Sequence, residues 1–181
     1  VISNVADARS FISAVVPVVG IGNTLPVVWS EENPRLVSLL LSQMNAFVLD
    51  YVLRQKASGD LNFFIFKQLP VISPRALQAQ LPWEQGFQWD TWLVARILEL
   101  TYTAWDLEPF AQDCGYDGPP FHWDEERRFL LRCELDAAFF HLYLGTPEEW
   151  QQATPELLEA FPIPRDAVAY IMETFPIVKR R

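Results

Sequence analysis

Residues 34–53, PRLVSLLLSQMNAFVLDYVL, carry the pattern on which the predicted fold depends. Apolar side chains recur there at intervals of three and four residues, which is the spacing of one face of an α-helix. Asn33 precedes the segment and can cap a helix, with Pro34 at the first helical position. The sequence therefore predicts a single helix of about five turns. Its buried face would contain Leu36, Leu39, Leu40, Met44, Phe47, Val48, Tyr51 and Val52.

Short apolar segments rich in β-branched and aromatic residues flank this helix. Residues 11–19 and 24–29 are separated by GIGN at 20–23, and LNFFIFKQL at 61–69 follows the helix. Such a composition favours strands. Prolines in the first two segments would place them at a sheet edge or a bulge. We interpret GIGN as a turn, because it lacks the Lys-Ser/Thr of a P-loop and the full GxGxxG spacing.

The second half of the chain has helical patterns. Asp124 can cap a long helix over Glu125–Leu144, and Asp90 can cap one over Thr91–Thr103. Proline-led short helices follow at 155 and 164. The sequence thus predicts an α+β fold. Residues 1–81 would form a small sheet with packed helices. Residues 82–181 would be mainly helical and could share a core with the first half.

Composition limits the function classes. The 181 residues include seven Trp and thirteen Phe, and half are hydrophobic, so the chain can bury a core. Its net charge is −9, whereas a chain that binds nucleic acid unaided usually has a basic surplus. DNA binding would need a local basic patch and help from other parts of the protein.

Other features indicate a cytoplasmic protein. Cys114 and Cys133 lack CxxC spacing, so buried free thiols in a reducing compartment are expected. Residues 11–19 are too short to span a membrane, and no signal peptide is recognisable. The chain begins without Met and stops abruptly at PIVKRR, so we expect both ends to lie inside a longer intracellular protein.

No catalytic or metal site is recognisable in the sequence. His122 and His141 lack the HExxH and HxH spacings, and no Ser lies in a GxSxG motif. Glu134 and Asp136 are two residues apart, and such residues do not face each other on a helix. We therefore expect no catalytic residues, no metal and no cofactor in this chain.

One cluster is both basic and rich in amide side chains. Lysine and arginine contact phosphates, and asparagine and glutamine read base edges, so the cluster could bind DNA. The same residues are also typical of a helix C-terminus and a soluble strand edge. The residues alone leave both interpretations open. The cluster consists of Arg54, Gln55, Lys56, Asn62, Lys67 and Gln68.

The order of several motifs resembles a known family. RQKASGDLNFF at 54–64, followed by KQLPV at 67–71, resembles the C-terminal region of large bacterial adenine-specific DNA methylases of the type IIG restriction–modification class. ARSFISA at 8–14 is similar to another segment of that family, with Ser10 where Thr is usual. GPPF at 118–121 resembles the methylase catalytic loop but has Gly in place of its Asn or Asp. Further similar stretches are QMNAF at 43–47, ELTYTAWDL at 99–107, ELDA at 134–137 and TFPIV at 174–178.

The resemblance implies a function for the chain. It would be a non-catalytic C-terminal part of such an enzyme that contributes to DNA target recognition, while S-adenosylmethionine binds elsewhere in the parent protein. By the same resemblance, residues 1–81 would be a recognition-domain-like segment. Its partners would be double-stranded DNA and its own N-terminal catalytic domain, with no membrane. Arg9 and Asn23 would add to the DNA contacts of the basic cluster.

Two alternatives stay open. The acidic, Trp-rich second half could be an interaction module that docks on the catalytic domain or on another defence-system subunit, since exposed aromatics mark interfaces. A free-standing enzyme is the third reading and the one that the sequence favours least.

Overall fold

A computed structural model describes residues 8–22, 25–56 and 61–175, and it is mainly helical. Helices account for 56% of these described residues, which contain no sheet. An isolated antiparallel bridge between Gln80 and Gln88 is the pairing found there. The predicted α+β fold is therefore wrong, and the fold of the described residues is all-helical.

The segments predicted as strands adopt other structures. Residues 8–22 and 25–33 form neither a helix nor a ladder of paired strands. Phe63–Phe66 form a short helix, α3, because the Asn62 side chain caps it by accepting from the Ile65 N–H at 2.9 Å. A short apolar run is compatible with either a strand or a buried helical turn, and the packing of the folded chain selects the helical turn here. Thr24, in the second predicted strand, lies outside the described residues.

The predicted five-turn helix is broken in two. Helix α1 spans Pro34–Met44 and helix α2 spans Phe47–Lys56, and the two are bent by 67°. The start was predicted correctly, since Asn33 caps α1 and Pro34 is its first residue. The prediction of one continuous helix is wrong, and the contacts that hold the bend are described below.

The second half follows its predicted helical pattern closely. Asp124 caps helix α6 over Glu125–Leu144 as predicted, accepting from the Arg127 N–H at 2.8 Å. Asp90 does not cap helix α4, because that helix begins at Trp89, two residues before its predicted start, and places Asp90 in its first turn. The helices are α4 (Trp89–Thr101), α5 (Glu108–Asp113), α6 (Glu125–Leu144), α7 (Pro147–Trp150), α8 (Pro155–Ala160) and α9 (Pro164–Glu173), with 3-10 turns at Ala76–Gln78 and Trp105–Leu107.

The main core lies around α4, which packs against α1 and α6. Leu93 and Phe139 are fully buried there, together with Leu39 from the first half of the chain. The core thus combines residues from both sides of Pro82, the predicted domain boundary. A smaller cluster of Phe11, Leu49, Leu53 and Leu69 lies under α3.

The lengths and compositions of the described helices bear on whether any of them could span a membrane. No single helix within 8–22, 25–56 and 61–175 is long and apolar enough to cross a bilayer. Helices α1 and α2 reach that length and composition only when taken together, across their 67° bend.

Candidate functional site

A polar network holds the bend between α1 and α2. Asp136 on α6 accepts a hydrogen bond from the Phe47 N–H at 2.9 Å and forms an ion pair with Arg9. A carboxylate is stabilised at the N-terminus of a helix, where backbone N–H groups lack partners. Arg9 also donates to the backbone carbonyl of Asn45, the residue that ends α1. The network therefore connects the N-terminal segment, the bend and α6.

Asn45 ties the N-terminal segment to the same bend. Its side-chain oxygen accepts from the Ser13 N–H at 3.0 Å, and its amide nitrogen donates to the Ser13 carbonyl at 3.0 Å. Such paired bonds resemble those between two strands, but here a side chain replaces one strand. This explains how residues 8–15 lie against the helices without forming a sheet.

Another carboxylate, on α2, is fully buried. Asp50 is fully buried and accepts from the Ser10 N–H at 2.8 Å and from Arg54 Nε at 3.2 Å. The Arg54 guanidinium also lies over the Phe175 ring, 4.4 Å from its centroid. Only 10% of the Arg54 side chain is exposed. Arg54 therefore connects α2 with the end of the described chain.

Burial sets the acidity of Asp136. Burial raises the pKa of its carboxyl group, while Arg9 and the Phe47 N–H act in the opposite direction. Arg9 is held from the other side as well, since its guanidinium lies over the Phe47 ring at 3.7 Å. Asp136 and Arg9 therefore both help to hold the bend between α1 and α2.

The remaining residues of the predicted DNA-binding cluster lie at the surface. Gln55 and Lys56 are exposed at the end of α2, and Lys67 and Gln68 are exposed after α3. Asn62 is exposed too, although its side-chain oxygen is used in capping α3. Asn23 lies outside the described residues.

Two aromatic side chains that sequence reasoning missed lie beside these lysines in sequence. Phe63 is 57% exposed and Phe64 is 74% exposed, whereas Ile65 and Phe66 pack against the small core cluster. Residues 63, 64 and 67 share the outer side of α3, because residues three and four apart are neighbours on a helix. A double Phe between polar residues was the signal available in the sequence. We call Gln55, Lys56, Phe63, Phe64, Lys67 and Gln68 the α2–α3 surface.

The structure explains why residue 118 is Gly in the segment that resembles the methylase catalytic loop, residues 118–121. A Cβ atom on Gly118 would lie 2.5 Å from the Tyr116 hydroxyl oxygen, so the loop has no room for a larger residue unless Tyr116 moves. Tyr116 stacks on Phe121 and donates to the Pro119 carbonyl at 3.2 Å. The loop is thus closed on itself by Tyr116.

The carboxylates, histidines and thiols considered as catalytic or metal-binding residues do not come together in one site among the described residues. Glu134 pairs with Arg96 and Asp136 pairs with Arg9, so the two carboxylates have different partners. His141 lies against the Trp83 ring, with ring centroids 5.7 Å apart. No group of three His, Cys, Asp or Glu residues in the described part of the chain could hold a metal ion. Of the two thiols, Cys114 is buried as expected and Cys133 is exposed.

No protein family, no curated protein and no solved structure was found to match this chain.

Proposed function

We propose that this chain is a non-catalytic C-terminal part of a bacterial adenine-specific DNA methylase of the type IIG restriction–modification class, and that it contributes to DNA target recognition. The order of the motifs along nearly the whole chain supports the family. The α2–α3 surface supports the role in DNA binding, because it combines two lysines, two glutamines and two exposed phenylalanines in a chain of net charge −9.

The chemistry of this surface suits a nucleic acid. Lys56 and Lys67 are exposed cations that can neutralise phosphates and release counterions. Gln55 and Gln68 can donate to and accept from base edges or backbone oxygens. Exposed Phe side chains can lie against sugars or between base steps. None of the four polar side chains has a hydrogen-bond or ion-pair partner among the described residues.

The geometry divides the predicted contact residues into two roles. Gln55, Lys56, Lys67 and Gln68 would touch DNA, since they are exposed. Arg54 and Asn62 would shape the surface instead, since Arg54 pairs with the buried Asp50 and Asn62 caps α3. Arg9 pairs with Asp136 at the bend, away from this surface, so its proposed DNA contact stays a prediction from the sequence. The contact proposed for Asn23 stays a prediction from the sequence.

In the parent enzyme this part would position the duplex while the catalytic domain, with S-adenosylmethionine bound, acts on a flipped adenine. The cytoplasm is the proposed location, because the bacterial chromosome and incoming DNA are there.

Titration of duplex DNA into the full-length protein at several salt concentrations tests the proposal. Changing both Lys56 and Lys67 to Ala should weaken binding and lower the slope of log K against log salt by about 1.8, since each phosphate contact contributes about 0.9. Phe64→Ala should weaken binding without changing that slope. Arg165→Ala, at an exposed position on α9, is the matched control. An unchanged affinity and slope in the double-lysine variant would exclude this surface as the DNA contact.

A second function has support from exposed apolar side chains elsewhere. Val18 is 89% exposed and Trp29 is 80% exposed in the irregular N-terminal segment, and Trp105 is 62% exposed. Exposed aromatic and aliphatic groups of this size are typical of interfaces. An interaction module that docks on the catalytic domain of the parent would use them. If Trp29→Ser and Trp105→Ser leave the affinity for the separately produced catalytic domain unchanged, this second function is excluded.

A further inference from the structure

A cleft of about 430 Å³ opens on a different part of the molecule from the α2–α3 surface. Its walls are the N-terminal segment over residues 9–15, the bend at Asn45, the C-terminal end of α4 and one face of α6. Ligand pockets commonly have volumes of about 300–1,000 Å³, so the cleft has room for one small molecule or one nucleotide unit.

The walls of this cleft are positively charged although the chain is acidic. Its charged lining residues are three arginines, Arg9, Arg128 and Arg132, and one carboxylate, Asp136. Asp136 is already paired with Arg9. The lining therefore has an excess of two positive charges, contributed by Arg128 and Arg132.

These two arginines lie on one side of α6. Arg128, Arg132 and Asp136 are successive i, i+4 positions and therefore form one stripe along the helix. Arg127 and Glu134 lie on another side of α6, where Arg127 pairs with Glu99 at 2.8 Å and Glu134 pairs with Arg96 at 2.6 Å. Arg127 on that side forms an ion pair with a carboxylate of the protein, whereas neither Arg128 nor Arg132 forms one among the described residues. Glu125 near Arg128 and Asp136 near Arg132 act on these two arginines only at longer range.

Arg128 is held in place with a donor still unused. It donates to the Leu100 carbonyl at 2.9 Å, and its guanidinium lies 3.7 Å from the centre of the Trp123 ring. Its Nε–H is buried and has no acceptor among the described residues. Burial and the neighbouring Arg132 lower the pKa of Arg128, while Glu125 acts in the opposite direction, so Arg128 and Arg132 repel each other at this position.

Arg132 is exposed and has no ion pair or hydrogen bond with any described side chain or carbonyl. Like charges held near each other destabilise the protein unless an anion lies between them. In a purely structural arrangement we would expect a carboxylate beside Arg132, like the one that pairs with Arg127 on the other side of α6. The one carboxylate among the described lining residues, Asp136, is paired with Arg9, so Arg128 and Arg132 can accept an anion supplied from outside.

The uncharged lining suits a phosphate ester. Ser13, Thr101 and Thr103 contribute hydroxyl groups, and Leu100 and Trp123 contribute apolar surface. A phosphate offers three acceptor oxygens and binds guanidinium groups through charge-assisted hydrogen bonds. We propose that this cleft binds the phosphate group of a nucleotide unit between Arg128 and Arg132, with the sugar and base against the apolar wall. The same chemistry fits a free mononucleotide and a nucleotide within a single strand.

Calorimetric titration with three probes tests the proposal: thymidine 5′-monophosphate, thymidine and a short oligothymidylate. We expect the monophosphate or the oligonucleotide to bind, and thymidine to bind at least tenfold more weakly because it lacks the charged group. Arg132→Gln should weaken binding of the phosphorylated probe about tenfold or more, and Arg132→Lys should restore part of the affinity. Arg132 is exposed, so these changes leave the fold intact, and Arg165→Gln on α9 is the matched control.

The two phosphorylated probes distinguish the sources of the ligand. Binding of the monophosphate indicates a free nucleotide, and binding of the oligonucleotide alone indicates a strand. The proposal is overturned if neither phosphorylated probe binds, if thymidine binds equally well, or if Arg132→Gln has no effect. The double Lys56→Ala, Lys67→Ala variant should bind these probes normally, so failure of the α2–α3 surface as a DNA contact can be recognised separately.

Discussion

Removal of the Asp136 carboxylate is expected to destabilise the protein by about 3 kcal/mol. Asp136→Ala takes away the ion pair with Arg9 and the acceptor of the Phe47 N–H at the first residue of α2. Breaking a buried ion pair from one side costs about 3–5 kcal/mol, because the other charge loses its compensation. The Arg9 and Asp136 side chains are 19% and 13% exposed, and this residual exposure favours the lower end of that range.

Asp136→Asn separates the two contributions. Asparagine keeps an oxygen for the Phe47 N–H but loses the charge that compensates Arg9. The expected loss is about 1.5 kcal/mol, since a hydrogen bond to a charged group contributes about 1.5–3 kcal/mol. The order of stability should therefore be wild type, then Asp136→Asn, then Asp136→Ala.

Urea unfolding measures these differences as shifts of the midpoint at constant slope. Asp117→Ala and Asp117→Asn are matched controls, because Asp117 is exposed in a loop, and each should change stability by less than about 0.5 kcal/mol. If Asp136→Ala loses less than about 1 kcal/mol, Asp136 does not hold the bend. If the Ala and Asn variants are equally unstable, the hydrogen bond to Phe47 contributes nothing.

Two further predictions concern α6 and its C-terminal end. Burial raises the pKa of Tyr143 to about 12, above the value of about 10 in an unfolded chain, so its contribution to stability is complete below pH 10 and is lost as the pH rises from about 10 to 12. Tyr143→Phe should make the fall in unfolding free energy over that interval shallower, and an equally steep fall would contradict the assignment. Gly145 has φ 74° and ψ −170°, and a Cβ there would lie 2.8 Å from Glu149 Oε2. Gly145→Ala should therefore raise the free energy of the folded state by about 1–3 kcal/mol in thermal or urea unfolding, whereas Gly20→Ala, with nothing within 4 Å, should stay within about 0.5 kcal/mol; equal effects would refute the strain argument.

The helices with local signals were predictable from the sequence. Asn33, Asp124 and Thr154 each cap the helix that follows them, and each signal lies within four residues of the bond it makes. Such start signals need no knowledge of the tertiary structure. This is why the second half of the chain was predicted better than the first.

The strands and the bend depended on distant residues. A short β-branched segment forms a strand only if another strand pairs with it, and residues 11–19 lie against the Asn45 side chain instead. At the bend over residues 45–46, the Phe47 N–H donates to Asp136, which is 89 residues from Phe47 along the chain. Periodicity alone continues smoothly through that bend, so the pattern could not reveal it.

The candidate surface was predictable only in part. Lys56 and Lys67 lie at the surface, but the role of Arg54 depends on Asp50. The Asp50–Arg54 spacing of four residues was visible in the sequence as an intrahelical pair. Arg9 gave no such signal, because its carboxylate partner lies 127 residues away.

The bend also sets an order of events during synthesis of the chain. Phe47 leaves the ribosome 89 residues before the carboxylate that caps it, and Arg9 leaves 127 residues before. At a synthesis rate of about 5–20 residues per second, about 5–20 s pass between the synthesis of Phe47 and that of Asp136. Until α6 has been made, only the contacts of Ser10 and Ser13 in the N-terminal segment with Asp50 and Asn45 oppose the single helix that periodicity favours over 34–53. The last contact that fixes the angle between α1 and α2 is therefore made late, by a part of the protein that does not yet exist when the two helices first form.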